Sequence, residues 1–198
     1  MSRSHPKDDL HSSLQAARDT LLRKLEGLSE YDARRPLTRT GTNLLGLVKH
    51  LSGVELGYFG DTFGRPSEEP FPWLDDDAEE NADMWATEDE SREEVVARYR
   101  RVWRHSDATI AALPLDALGT VPWWSEAERE VTLHKVLVHV TTETHRHAGH
   151  ADIVRELVDG EVGYRSRGGN LPRGGATWWE AYVDRLEGAA TAFRTDGG

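Results

Sequence analysis

The chain has 198 residues, enough for one domain with a sizeable core, and we expect a single domain over residues 1–198. Its 35 acidic and 24 basic residues give a net charge of −11, which opposes binding to polyanions, so we expect no nucleic-acid partner. The absence of cysteine excludes disulfides, thiolate zinc sites and a cysteine nucleophile. No segment is typical of a signal peptide or has about 18 apolar residues in a row, so we expect a cytoplasmic protein that does not enter membranes.

Two helices are predicted in the first third of the chain. Apolar residues at spacings of three and four predict an amphipathic helix that ends near Gly27 and Tyr31. Residues 34–38 are predicted to form a connection between this helix and the next. A second helix is expected to begin near Thr42 or Asn43, either of which can cap it, and to run to about Phe59.

The middle of the chain changes from irregular to helical near Ser91. Residues 60–90 contain several prolines and an acidic run, which predict a long loop with room for one short helix. Ser91 with Glu94 forms a capping box, in which the serine hydroxyl caps the first turn of a helix. This pattern predicts a third helix that ends at Pro114.

Two further helices are expected in the C-terminal part. One begins near Thr132 and ends around Gly160, and another runs from about Thr177 to Phe193 after a glycine-rich loop. No segment shows the alternation typical of a strand. The predicted fold class is therefore all-α, an antiparallel four-helix bundle with a short additional C-terminal helix.

Three metal-ligating side chains are predicted to face the interior. His50 shares a helical face with Leu47 and Val54, and Glu143 and His147 lie one turn apart on the fourth helix. An inward carboxylate and imidazoles are costly unless they are paired or bind a metal. The sequence therefore leaves two alternatives, a divalent ion held by these three residues or a core cluster satisfied by hydrogen bonds.

Other residues near these positions are candidates for a substrate pocket. Gly46, Gly53 and Gly57 flank the face of His50, and glycine in a helix leaves space either for a ligand or for a closely packed helix. His150 lies on the same side of its helix as Glu143, either beside the metal ligands or as a core histidine. His139, one turn earlier, has the same two alternatives.

Three segments together carry a family resemblance: Leu44–Leu51, Val121–Trp124 and Glu143–Glu156 followed by Asp159 and Gly160. They resemble the actinobacterial branch of the DinB-like metalloprotein superfamily. This branch includes mycothiol-dependent maleylpyruvate isomerases and mycothiol S-transferases.

The resemblance implies a metal held between two helices of a four-helix bundle. The family pattern has one histidine on the second helix and two ligands four residues apart on a later helix, and these positions match His50, Glu143 and His147. Many DinB-like relatives have histidine at the position of Glu143, whereas the mycothiol-linked branch has glutamate. His150 is a further candidate beside the metal.

The resemblance also implies a function. We expect a divalent-metal-dependent thiol S-transferase that joins mycothiol, or a similar small thiol, to a small electrophile. Zinc is the expected ion, and nickel, manganese and iron(II) suit the same ligands. The alternative is a non-catalytic DinB-like stress or small-ligand-binding protein, and a homodimer is a further hypothesis.

Overall fold

The computed structural model describes residues 5–75, 77–163, 171–172 and 174–194. The chain is mostly helical, which agrees with the predicted all-α class. These residues form six α-helices, three short 3-10 helices and one pair of short strands. The α-helices are α1 (Pro6–Arg23), α2 (Glu30–Arg34), α3 (Leu44–Phe59), α4 (Arg92–Ala112), α5 (Leu133–Asp159) and α6 (Ala176–Thr191).

Side-chain caps explain where the long helices begin. Asn43 accepts a hydrogen bond from the N–H of Gly46 at the start of α3 (2.7 Å), and Ser91 accepts one from Glu94 at the start of α4 (3.1 Å). Thr132 accepts from Lys135 at the start of α5 (3.2 Å). Each cap lies where the sequence predicts it, because a cap bond joins residues only three apart.

Two local predictions were wrong. The first helix ends at Arg23, before the predicted end near Gly27 and Tyr31, and an unpredicted short helix, α2, comes just before the connection expected at residues 34–38. Residues 60–90 contain three 3-10 helices and not one short helix, at Asp61–Phe63, Pro72–Leu74 and Ala82–Met84. A 3-10 helix of three residues is too short to show a hydrophobic period in the sequence.

A small sheet is present where no strand was predicted. Strands β1 (Leu118–Thr120) and β2 (Glu130–Thr132) pair antiparallel, with Gly119 opposite Val131. Each strand has only three residues, which is too short to display an alternating pattern. A side chain at Gly119 would clash with the carbonyl of Thr62, so the strand lies directly against the first 3-10 helix.

The long helices bury two main apolar clusters. Helix α3 packs against α4 and α5, and α1 packs against α5. One cluster includes Leu45, Tyr99 and Val154, and the other includes Phe59 and Leu137. Helix α6 has no buried residue. Within the described ranges, no helix is both long and apolar enough to cross a bilayer.

A buried ionic network joins three helices. Arg18 of α1 and Glu55 of α3 are fully buried, and the Arg18 Nε lies 3.1 Å from both carboxylate oxygens of Glu55. Tyr99 of α4 donates its hydroxyl hydrogen to Glu55 (2.9 Å), and Arg18 also donates to Asp107 of α4 (2.8 Å). These contacts hold α1, α3 and α4 together around a charge pair that is shielded from water.

Candidate metal centre and cleft

The packing of α3 against α5 brings together the three residues that the sequence singled out. His50 comes from α3, and Glu143 and His147 come from successive turns of α5. The His147 side chain is 10% exposed, that of His50 20% and that of Glu143 30%. The group therefore lies between the two helices and opens toward solvent on the Glu143 side.

The donor atoms of the three side chains converge. His147 Nε2 lies 3.0 Å from Glu143 Oε1, and His50 Nε2 lies 4.0 Å from the same oxygen. The two imidazole rings meet edge to face, with centroids 4.8 Å apart. One potential ligand atom from each residue lies within 4.8 Å of the others.

This donor set fits a divalent metal ion. Tetrahedral zinc with ligand distances of about 2.0–2.2 Å needs ligand atoms roughly 3.3–3.6 Å apart. The two separations from Glu143, 3.0 and 4.0 Å, bracket that range, and all three ligand atoms lie within 4.8 Å, so side-chain rotations could bring them to one ion. Two imidazoles and one carboxylate also leave a coordination position open for a further ligand.

Asp83 orients His50. The Nδ1 of His50 lies 2.6 Å from Asp83 Oδ2. A carboxylate only accepts hydrogen bonds, so His50 must donate from Nδ1, which leaves the Nε2 lone pair directed toward Glu143. A carboxylate behind a histidine in this way is a common support for a metal ligand.

Sequence reasoning missed Asp83 because it lies in the irregular segment between α3 and α4. The segment reaches the site because it packs directly on α3. A side chain at Gly46 would clash with the carbonyl of Met84, and Asn43 Nδ2 donates to the same carbonyl (3.1 Å). Gly46 was the one hint in the sequence: a glycine inside a helix suggests that another segment packs closely there. It does not show which segment that is.

Burial and neighbouring charges act on His147 in opposite directions. Burial is the largest influence and lowers its pKa, and the nearby His50 lowers it further. Glu143 raises the pKa, but the net result lies below the ordinary value of 6.5. At neutral pH the imidazole is therefore uncharged, which is the form that binds metals.

The two other histidines named from the sequence occupy different surroundings. His150 is exposed, with its Nδ1 3.4 Å from the Nδ1 of His147. His139 is half-buried and lies against the rings of Tyr58 and Trp124, with centroid distances of 4.7 and 5.4 Å. His150 thus contacts a candidate ligand directly, whereas His139 belongs to an aromatic cluster.

A cleft of about 690 Å³ opens beside the candidate ligands. Both helices, the irregular segment and the loop between the strands contribute to its walls. The lining residues are His50, Gly53, Val54, Gly57, Tyr58, Asp61, Leu74, Asp83, Pro122, Trp123, His139 and Glu143. This volume is within the usual range for a small-molecule site.

Two of the three predicted pocket glycines line this cleft. A Cβ at Gly57 would lie 2.7 Å from the Trp123 ring, and one at Gly53 would lie 3.0 Å from Leu74. Gly46 is not among the lining residues, so its assignment to the pocket was wrong. It serves the close packing of the irregular segment, the other explanation that the sequence left open.

Comparison with known proteins identifies the family. A search of curated proteins gave no match. The family model described as "Mycothiol-S-transferase" matches residues 9–160, which include most of α1, all of α2 to α5 and every residue that lines the cleft. The chain belongs to the mycothiol S-transferase family.

Proposed function

We propose that this protein is a divalent-metal-dependent thiol S-transferase, with mycothiol or a similar small thiol as one substrate. The observation that carries the proposal is the convergence of His50, Glu143 and His147 beside a cleft large enough for small molecules. Family membership favours this function over a non-catalytic metal-binding protein. We further propose that the chain is a single domain whose four long helices α1, α3, α4 and α5 form a DinB-like bundle.

The three side chains would hold the ion. His50 is oriented by Asp83, and the hydrogen bond between His147 Nε2 and Glu143 would be replaced when both become ligands, with the single proton of the uncharged His147 ring moving to Nδ1. A bound divalent ion would lower the pKa of a thiol in the open position, so that thiolate is the main form near neutral pH. We keep zinc as the expected ion, since nitrogen and carboxylate ligands suit it, and nickel, manganese and iron(II) as alternatives.

Because the chain contains no cysteine, no thiol of its own competes for the electrophile or for the ion. Transfer joins the thiol sulfur to an electrophilic carbon, and the thiol proton passes to solvent or to the product. The proposed location is cytoplasmic, in keeping with a small-thiol substrate, and the homodimer stays a prediction.

The first test is a metal count on freshly purified protein. We expect about one divalent ion per chain, and His50→Ala should lose most of it, because two remaining ligands bind a metal much more weakly. The matched control is His134→Ala, which replaces an exposed histidine of α5 outside the cleft. Equal metal content in the two variants would refute the assignment of His50 as a ligand.

The second test titrates a thiol into the metal-loaded protein. Mycothiol should bind and release a proton, and calorimetry in two buffers of different ionisation enthalpy measures that release. The conjugation rate with an electrophile should exceed that of free metal at the same concentration. If the protein holds one metal ion per chain but neither binds the thiol nor enhances the conjugation rate, it is a non-catalytic metalloprotein.

A further inference from the structure

The cleft is negatively charged on its accessible side. Asp61, Asp83 and Glu143 line it, and none of the lining residues in the described part of the chain is lysine or arginine. Asp83 and Glu143 each contact a histidine. The carboxylate of Asp61 is exposed and has no hydrogen bond or ion pair with any described residue. Asp61 is therefore available to a ligand in the cleft.

A half-exposed aromatic ring lines the same cleft. Trp123 is 52% exposed, packs edge to face on Tyr58 with centroids 5.2 Å apart, and covers Gly57. Gly57 lies four residues before Asp61, and Asp61 and Trp123 line the same cleft. An indole ring and a free carboxylate in one cleft together attract cations, since the ring quadrupole and the carboxylate act in the same direction.

A bound metal ion would not reverse this charge. One divalent ion carries less positive charge than the three carboxylates carry negative charge, and a thiolate in the open position adds a further negative charge. An incoming anion would thus meet repulsion at the cleft in every state of the proposed reaction, and a cation would meet attraction.

We propose that this cleft selects its second substrate by charge, accepting neutral or cationic electrophiles and disfavouring those that carry a carboxylate or sulfonate. Asp61 and Trp123 are the residues that determine this specificity. The inference rests on the proposed transferase function for its chemistry, but the charge preference belongs to the cleft and is measurable without catalysis.

The binding test uses two ligands with the same ring and opposite charge, benzyltrimethylammonium and benzenesulfonate. Calorimetry on metal-free and on metal-loaded protein should show the cation binding about tenfold or more tightly than the anion in both forms. Asp61→Asn should reduce that ratio by about threefold or more, whereas Asp61→Glu should retain it. Trp123→Leu should weaken the binding of the cation by roughly three- to tenfold.

Asp116→Asn is the matched control. It removes the same charge from an exposed aspartate that does not line the cleft, so it should leave the ratio unchanged. Equal binding of the two ligands by the unmodified protein would overturn the proposal. An effect of Asp116→Asn as large as that of Asp61→Asn would also overturn it, because the preference would then come from the net charge of the molecule.

The conjugation test uses two alkyl bromides, (2-bromoethyl)trimethylammonium and 2-bromoethanesulfonate. In each reaction the thiol sulfur forms a bond to the carbon that carries bromine, bromide leaves with the electron pair, and the thiol proton passes to solvent. Each rate is divided by the uncatalysed rate with the same thiol. We expect the enhancement for the cation to exceed that for the anion by about tenfold.

The two proposals fail in different ways. If the transferase function is wrong, neither bromide reacts faster than the uncatalysed control, but the binding preference and its loss in Asp61→Asn persist. If only the charge selection is wrong, both bromides are conjugated with similar enhancement.

Discussion

At the scale of single residues, His50 depends on a partner that is distant in sequence. Its Nδ1 donates to Asp83, 33 residues further along the chain, over 2.6 Å. The inward direction of His50 follows from helical periodicity, which is local. The choice of which ring nitrogen faces Glu143 comes from Asp83, because that carboxylate accepts the Nδ1 proton.

The first prediction concerns this partner. Asp83→Asn replaces the carboxylate by an amide that no longer enforces an Nδ1 proton on His50. We expect the metal affinity to fall by about ten- to a hundredfold, the usual effect of losing such a partner. Competition with a chelator of known affinity measures the change.

Asp77→Asn is the control for Asp83→Asn. Asp77 lies in the same irregular segment and is exposed, so its replacement should leave the affinity unchanged. Circular dichroism should show the same helix content in both variants. An affinity of Asp83→Asn equal to that of the unmodified protein would mean that His50 needs no support from Asp83.

At the scale of elements, charged side chains hold the described residues of 64–90 against α3 and α4. Trp73 lies between Lys49 of α3 and Arg98 of α4, with the charged groups 4.5 and 4.7 Å from its ring. Lys49 is almost fully buried and pairs with Glu90 over 2.8 Å. Glu69 accepts from Arg98 and Arg101. These contacts place Leu74 and Asp83 in the wall of the cleft.

The pKa values of the two anchoring carboxyls lie below their ordinary value of 4.5. Bonds from Arg101 have the largest effect on the pKa of Glu69 and lower it. Burial raises the pKa of Glu90, but the bonds from Lys49 and from the N–H of Thr87 outweigh it. A carboxyl whose pKa falls on folding stabilises the folded form above pH 4.5, and this contribution is lost as the pH falls through the lowered value.

The second prediction follows from this pH dependence of stability. Between pH 7 and pH 5 the segment should remain packed, and below about pH 4.5 it should open before the long helices unfold. Hydrogen exchange of residues 65–90, corrected for the intrinsic pH dependence, measures the opening. Glu90→Gln should open the segment already at pH 6, because Lys49 is then a buried charge without its carboxylate.

Glu79→Gln is the control for Glu90→Gln. Glu79 is an exposed residue of the same segment, and its replacement should not alter the exchange. If the segment and the long helices lose protection together at every pH, the segment is part of the cooperative core, contrary to this prediction.

At the scale of the whole molecule, one buried charge pair connects three helices. Burial alone would lower the pKa of Arg18, but Glu55 and Asp107 raise it above the ordinary value, so the guanidinium stays charged in the core. Burial is also the largest cause of the raised pKa of Tyr99, whose hydroxyl hydrogen bonds to Glu55. Glu55 is thus the common partner of α1 and α4.

The third prediction removes this common partner. Glu55→Gln should lower the free energy of unfolding by about 3–5 kcal/mol, because it leaves the Arg18 charge buried without its main counter-charge. Urea unfolding followed by circular dichroism measures the loss. Glu156→Gln, at an exposed position of α5, should change stability by less than about 0.5 kcal/mol. A loss below about 1 kcal/mol in Glu55→Gln would show that Asp107 or water compensates for Glu55.

The sequence by itself determined the long helices and the faces they present. Asn43, Ser91 and Thr132 cap α3, α4 and α5, and Gly160 ends α5 in the left-handed conformation with φ of 76°. Caps and apolar periodicity act between residues three or four apart, so they can be identified without a tertiary structure. The sequence also led to the family, which the match over residues 9–160 confirms.

Only the tertiary structure decided the contacts between residues that are far apart in the chain. The pair of strands, the bond from His50 to Asp83 and the network of Arg18 with Glu55 join segments separated by at least ten residues. No local pattern encodes which segment lies opposite another, because that choice depends on how the helices and the irregular segment pack together. The convergence of His50 with Glu143 and His147 is of the same kind: periodicity directs each side chain inward, and the packing of α3 against α5 makes them neighbours.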